Sequence, residues 1–372
     1  MSRMYETIGK RVRHRIQFVA LLAALSGMAK AGGLSSDCNS AKAHIPLWQI
    51  TGTSAGDLCF VGYPPTKAAA STADIRALVV PVKIVLVDIS TNKIVVLDPK
   101  APLSVPVNFI SGYSALDAVL DSPIFKNHDW RVGSTDLGST QWGEATERAS
   151  FLNYPGADFT NWHVRLGPDQ QSDQTVGGWL ATPSTKVPGA YQVDEAALKP
   201  VLELLAFSYA SSHPNAVPIL LTYNVEKSNA SGCCARGYHA HVTDKSGYNI
   251  PYIWASYIDS DPYPDLNALS HEVAEFMHNP MNINQVTPAW PDASGTCNSG
   301  FEVGDPIESL SQSKRLFSIT MPTMTYNFQN VVTASWFLRA KPAFSVNKQY
   351  AFPNEPDSEF SAPAPTCSSK SK

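Results

Sequence analysis

The sequence predicts an α+β protein. The run 77–87 (ALVVPVKIVLV) is almost continuously apolar and rich in β-branched residues, which reads as one or two buried strands. Strand-like and helix-like segments alternate irregularly with long loops between them, favouring α+β over a doubly wound sheet. No Gly-rich loop stands between a strand and a helix, so nucleotide binding has no support.

The elements follow in chain order. Residues 32–75 are rich in Gly, Ser, Pro and Ala and read as loops with short strands. After 77–87, a turn at Ser90-Thr91-Asn92 leads into a strand at 93–97. Segment 113–128 mixes helical spacing with Pro123, 143–152 reads as a helix, and 162–166 as a short strand. The Gly/Ser/Thr/Pro-rich stretch 170–192 reads as a loop. Ala197, Leu198, Val201, Leu202, Leu205 and Ala206 fall at helical spacing, which predicts a helix over 194–211. Strands are expected at 218–225, 238–242 and 252–257. A helix follows at 265–279, capped by Asp261 or Asp265 and stopped by Asn279-Pro280. From residue 351 the chain is Pro/Ser-rich and reads as a loose tail.

Charged residues make up 16% of the 372, against about a quarter in ordinary globular proteins, and the net charge is -4. No basic patch stands out, which argues against nucleic acid as a partner. The N-terminus reads as a signal peptide over 1–31. Lys10, Arg11, Arg13 and Arg15 precede the apolar run 16–29, and Ala29-Lys30-Ala31 offers a small-x-small cleavage pattern before Gly32. That run is shorter than the roughly 20 residues a membrane span needs, and no second span follows. A secreted or periplasmic protein with no integral span after cleavage is expected. The division is then a signal peptide (1–31), a loop-rich segment (32–75), a main domain (76–350) and a tail (351–372). Cys38, Cys59, Cys233, Cys234, Cys297 and Cys367 all lie beyond the cleavage point, and their even number favours disulfides. Cys38 with Cys59 could close a short loop, and Cys233 or Cys234 with Cys297 could tie two loops together.

The helix 265–279 carries the chemistry. Leu266, Leu269, Val273, Phe276 and Met277 form one apolar stripe. His271, Glu275 and His278 form a second stripe, with Glu272 beside it. Ligands at i and i+4 on a helix can chelate one cation, and an adjacent glutamate can take a proton from the water it activates. Here Glu275 stands where the two-histidine motif has its second imidazole, so the cation is zinc or another divalent ion. The turn 300–306 (GFEVGDP) offers Glu302 or Asp305 as third ligand. No other cofactor is indicated. His239 and His241 share one face of a strand; His239 suits an extra ligand or a transition-state donor, a role Tyr238 could also take. His278 reads as a C-terminal histidine favoured by the helix dipole. Trp290 could wall a cleft or sit in the core.

The string 269–276 (LSHEVAEF) with Asn279-Pro280, Gly237-Tyr238-His239 before it and Glu302-Val303-Gly304-Asp305 after it resembles secreted zincin-like proteins of metallopeptidase type. It is more distantly similar to the plant phosphate-induced (Exordium-like) family. The resemblance covers most of 75–340 and is tightest over 233–306. It implies a zincin-like mixed sheet packed on an active-site helix, with a smaller C-terminal subdomain. Residues and resemblance together lead to an exported metal-dependent hydrolase, a peptidase using metal-activated water on protein or peptide substrates. Glu272 and His239 would be catalytic, and His271, Glu275, Glu302 and Asp305 would supply the metal ligands. The alternative is a non-catalytic secreted or cell-surface binding protein on the same scaffold, with no open coordination position beside Glu272.

Overall fold

A computed structural model describes residues 38, 42–53, 56–65, 72–103, 112–229, 232–292 and 294–367. The stretch read as a signal peptide lies outside them. The described residues form a mixed α/β arrangement around a ten-stranded sheet, compatible with the α+β expectation. No helix among them is long and apolar enough to cross a membrane.

In chain order the strands that matter are β1 (Leu47–Thr53), β2 (Gly56–Val61), β3 (Thr72–Asp88), β4 (Lys93–Leu97), β5 (His128–Val132), β6 (Thr135–Thr140), β7 (His163–Gln170), β8 (Gln174–Pro183), β9 (Tyr191–Asp194), β10 (Ala216–Tyr223), β11 (Val225–Asn229), β12 (Gly232–Ala235), β13 (Gly237–Thr243) and β14 (Asn249–Tyr257). The long β3 organises the sheet and changes partners along its length. Its first half runs parallel to β7 and β10, and its second half pairs with β8 and β4. Pro81 sits at the changeover, paired with Leu221 at the end of the β10 register. Proline has no N–H to give a ladder, so a strand tolerates it best where neighbours are exchanged.

Alternation along the strands builds two apolar layers. Ile75, Ala77 and Val79 of β3, Ile219 and Leu221 of β10, and Ile253 and Ala255 of β14 face one layer, which also takes Leu269, Val273, Phe276 and Met277 of the helix Asn267–His278. Val80, Val82, Ile84, Leu220 and Trp254 face the other, covered by Leu198, Leu202 and Ala206 of the helix Glu195–Ser212. β13 is hydrogen-bonded only to β14, antiparallel to it, and forms the end strand of the sheet path. Its His239 is thereby turned toward the helix Asn267–His278.

Some expectations need correcting. The stretch 170–192 is not simply a loop, because it contains β8 and β9. Their periodicity is hidden by a register shift opposite Val85 and Leu86, where Gly177 takes φ 138° and a side chain would run into the Val85 backbone. Neither Asp261 nor Asp265 is the N-cap of the site helix; that position is Leu266, with no side-chain cap. Asp265 instead accepts from the backbone and side chain of Asn327 and ties the helix start to the hairpin strand Thr325–Gln329. The short strands expected within 32–75 are present as the antiparallel pair β1–β2, which Asn284 clamps through both Cys59 backbone groups at 2.8 and 2.6 Å.

The described cysteines lie in pairs at disulfide distance. Cys38 faces Cys59 as expected, but Cys297 pairs with Cys367, and Cys233 and Cys234 pair with each other. The stretch expected to be a tail is anchored by that Cys297–Cys367 pair and by the buried Phe360 and Ala364. A bridge closing a sequence separation of 70 should stabilise by about 2–4 kcal/mol, chiefly by restricting the unfolded chain. The double variant Cys297→Ser/Cys367→Ser is therefore expected to lower the denaturant midpoint under oxidising conditions. An unchanged midpoint would show that this bridge does not form.

Candidate metal centre

The site is assembled on one helix, one edge strand and one turn. Of the twelve residues of Asn267–His278, only Ala268 is not buried. The polar stripe therefore lies inside protein, where carboxylates need positive partners. The helix is held from behind by Trp142–Phe151, whose Trp142 Nε1 donates to Ser270 O at 2.7 Å.

His271, Glu272 and Glu275 come together with His239 from β13 and with Glu302 and Asp305 from the following turn. His271 Nε2 lies 3.0 Å from Glu275 Oε1 and 3.6 Å from Asp305 Oδ1. His239 Nδ1 lies 3.4 Å from Glu272 Oε2 and 3.5 Å from Glu275 Oε2, and its Nε2 lies 3.6 Å from Glu302 Oε2. A cavity of 310 Å³ opens over these groups, rimmed by Arg236, Tyr263 and Glu308.

Two glycines make the convergence sterically feasible. A Cβ at Gly304 would stand 2.5–2.7 Å from three atoms of the His271 ring, and one at Gly237 would stand 2.7 Å from Glu272 Cγ. Gly304→Ala is expected to cost about 1–3 kcal/mol through overpacking. By displacing the ring it should also weaken cation binding by roughly tenfold or more. Thermal melting and cation titration of the variant test both; wild-type values would mean the turn yields and Gly304 does not position His271.

Sequence reasoning missed the groups that orient these side chains. Asn279 Nδ2 donates to Glu302 Oε1 at 2.8 Å, and Gly304 N–H donates to Glu275 Oε1 at 3.1 Å. Gln329 Nε2 lies 2.9 Å from His271 Nδ1 and 2.8 Å from Gly304 O. Asn279 was visible as a helix stop, but nothing in the sequence marks Gln329, some 58 residues from His271.

Other candidates fall away. Tyr238 points to the opposite layer, packed against Tyr252 and Trp254, and cannot serve as an oxyanion donor in the cavity. His241 bonds to Met281 O at 2.9 Å and stays apart from the cluster. His278 is not placed by the dipole at a solvated helix end. It is fully buried, bonded to Ala274 O and Ser150 Oγ, and burial pulls its pKa down to about 4. Trp290 is core, its ring edge-to-face with Trp336 and Phe337.

The electrostatics reflect crowded acids around two imidazoles. Burial opposes charge on His239, but Glu302, Glu272 and Glu275 outweigh it and hold its pKa well above the ordinary value. For His271 burial is likewise overcome, by Glu275 and Glu272. Glu275, although buried, is kept ionised by His271 and His239. Burial pushes Glu302 up to about 8, against the pull of His239. The cluster therefore gathers protons, which is how carboxylates crowded out of water obtain positive charge; a divalent cation can supply the same charge.

The donor set fits such an ion. Around a tetrahedral ion with ligands at about 2.0–2.2 Å, neighbouring donor atoms stand roughly 3.3–3.6 Å apart. The spacings of 3.0 and 3.6 Å around His271 Nε2 lie close to that range. Ligation through Nε2 puts the ring proton on Nδ1, which requires the Gln329 amide to turn away from its present bonds to Gly304 O and Asn267. Among the described residues His271, Glu272 and Glu275, and His239, Glu275 and Glu302, form largely buried groups whose donor atoms lie within 4.8 Å of one another and could hold a metal. The further group Glu226, Cys233 and Cys234 is less suited, because the two sulfurs face each other and Glu226 is paired with Arg236 at 2.5 Å.

The chain matches no protein-family model, no curated protein and no solved structure.

Proposed function

We propose that this protein is an exported, metal-dependent hydrolase of zincin-like architecture that cleaves peptide amides. One observation carries the reading: His271 Nε2 lies 3.0 Å from Glu275 Oε1 and 3.6 Å from Asp305 Oδ1, with Glu272 beside them, under a cavity large enough to admit part of a chain. His271, Glu275 and Asp305 would hold the ion, zinc by preference for an imidazole-containing set. When bound, a divalent cation polarises a carbonyl and lowers the pKa of water. Glu272 takes the proton from the attacking water and returns it to the leaving amine. His239, buried and held by Asn279 O at 3.0 Å, keeps positive charge close to Glu272 and Glu275. The sheet arrangement supports the zincin-like assignment: an antiparallel end strand beside a buried helix carrying the H-E-x-x-E string. The paired cysteines are compatible with an oxidising compartment.

Chelation tests the proposal. Treatment with a strong chelator should abolish hydrolysis of an unfolded protein substrate, and added zinc, cobalt or manganese should restore it. Activity indifferent to chelation contradicts the mechanism. A cation-loaded protein without hydrolysis favours the non-catalytic binding alternative.

A further inference from the structure

We infer that the pocket is built for two divalent cations bridged by Glu275, the second held by His239 and Glu302; this rests on the assignment of the first to His271, Glu275 and Asp305. Glu275 does not turn both oxygens to one histidine. Its Oε1 lies 3.0 Å from His271 Nε2, and its Oε2 lies 3.5 Å from His239 Nδ1. Each imidazole also has a carboxylate of its own: Asp305 lies 3.6 Å from His271 Nε2, and Glu302 groups with His239 and Glu275, their donor atoms within 4.8 Å of one another. Two histidine–carboxylate sets sharing one carboxylate match the arrangement of two-ion hydrolytic centres, whose ions stand about 3.5–4 Å apart.

The hydrogen bonds around His239 point the same way. Its Nε2 lies 3.0 Å from the Asn279 carbonyl oxygen, which can only accept, so Nε2 carries a hydrogen. Nδ1 then faces Glu272 Oε2 and Glu275 Oε2 at 3.4 and 3.5 Å. Nδ1 aimed at two carboxylate oxygens calls for positive charge between them, which a proton supplies in the metal-free chain and a cation can supply in its place. Glu302 is held like a ligand in waiting: Asn279 fixes its Oε1 at 2.8 Å, while its buried Oε2 makes no hydrogen bond. Glu272 lies between the sets, 3.9 Å from His271 Nε2, and remains available as the base.

The test counts ions. The mature chain is stripped by chelation, dialysed against zinc or manganese, and measured by plasma mass spectrometry, with the manganese form also read by electron paramagnetic resonance. Two ions per chain and an exchange-coupled manganese spectrum are expected. Glu302→Gln, isosteric and still able to accept from Asn279, should bind one ion with an isolated six-line spectrum; its circular dichroism melt reports folding. The wild-type count and spectrum decide the matter even if this variant fails to fold. One ion and an uncoupled spectrum in the wild type would overturn the second site and leave the first. No ion at all would sink both. A count of two that survives both Glu302→Gln and His239→Gln would place the second ion elsewhere and equally overturn the inference.

Discussion

Glu275→Gln is expected to release bound cation and abolish hydrolysis while leaving the chain folded. The substitution is isosteric and keeps an oxygen to accept the Gly304 N–H. It removes the carboxylate that lies within 3.5 Å of both histidines. Loss of groups that merely orient ligands weakens metal binding by about 10–100-fold, so loss of a shared ligand should exceed roughly a hundredfold. Cation titration with a far-ultraviolet spectrum of each protein measures this. A folded Glu275→Gln variant that binds cation as the wild type does would show the ligand assignment to be wrong.

Glu272→Gln should behave differently. It is expected to retain cation and lose about 10²–10⁴-fold in kcat, with little change in KM, because a general base acts only in the transition state. The structure sets the two glutamates apart despite their shared helix. Glu275 is in contact with His271 at 3.0 Å, whereas Glu272 stands 3.9 Å from it and lies against Gly237 of the edge strand. Unchanged kcat would remove Glu272 from the chemistry. Cation loss comparable to that of Glu275→Gln would make it a ligand instead.

Much of this arrangement was legible in the sequence because it follows short-range periodicity. The two stripes of the site helix, the strand 93–97 and the helix 194–211 are written in spacings of two to four residues, and β4 and Glu195–Ser212 appear where those spacings put them. The proposed ligands were readable as a group for the same reason, since His271, Glu272 and Glu275 share one helix, and Glu302 and Asp305 share one turn. Features fixed by distant partners were not readable. β8 is exposed or half-buried along nearly all its length and broken by its two glycines, so it looks like a loop until β3 supplies a ladder. Tyr238 was misjudged because its neighbour His239 faces the site, and alternation along a strand sends adjacent side chains to opposite layers. The pairing of Cys297 with Cys367 depends on how the chain end folds back, which cysteine spacing does not encode.

Anomalous X-ray scattering from crystals grown with zinc tests the central claim most directly. The account predicts a peak at the zinc edge about 2.0–2.2 Å from both His271 Nε2 and a Glu275 carboxylate oxygen. No peak in the pocket at full zinc occupancy elsewhere, or a peak only at the Glu226, Cys233 and Cys234 group, would contradict it.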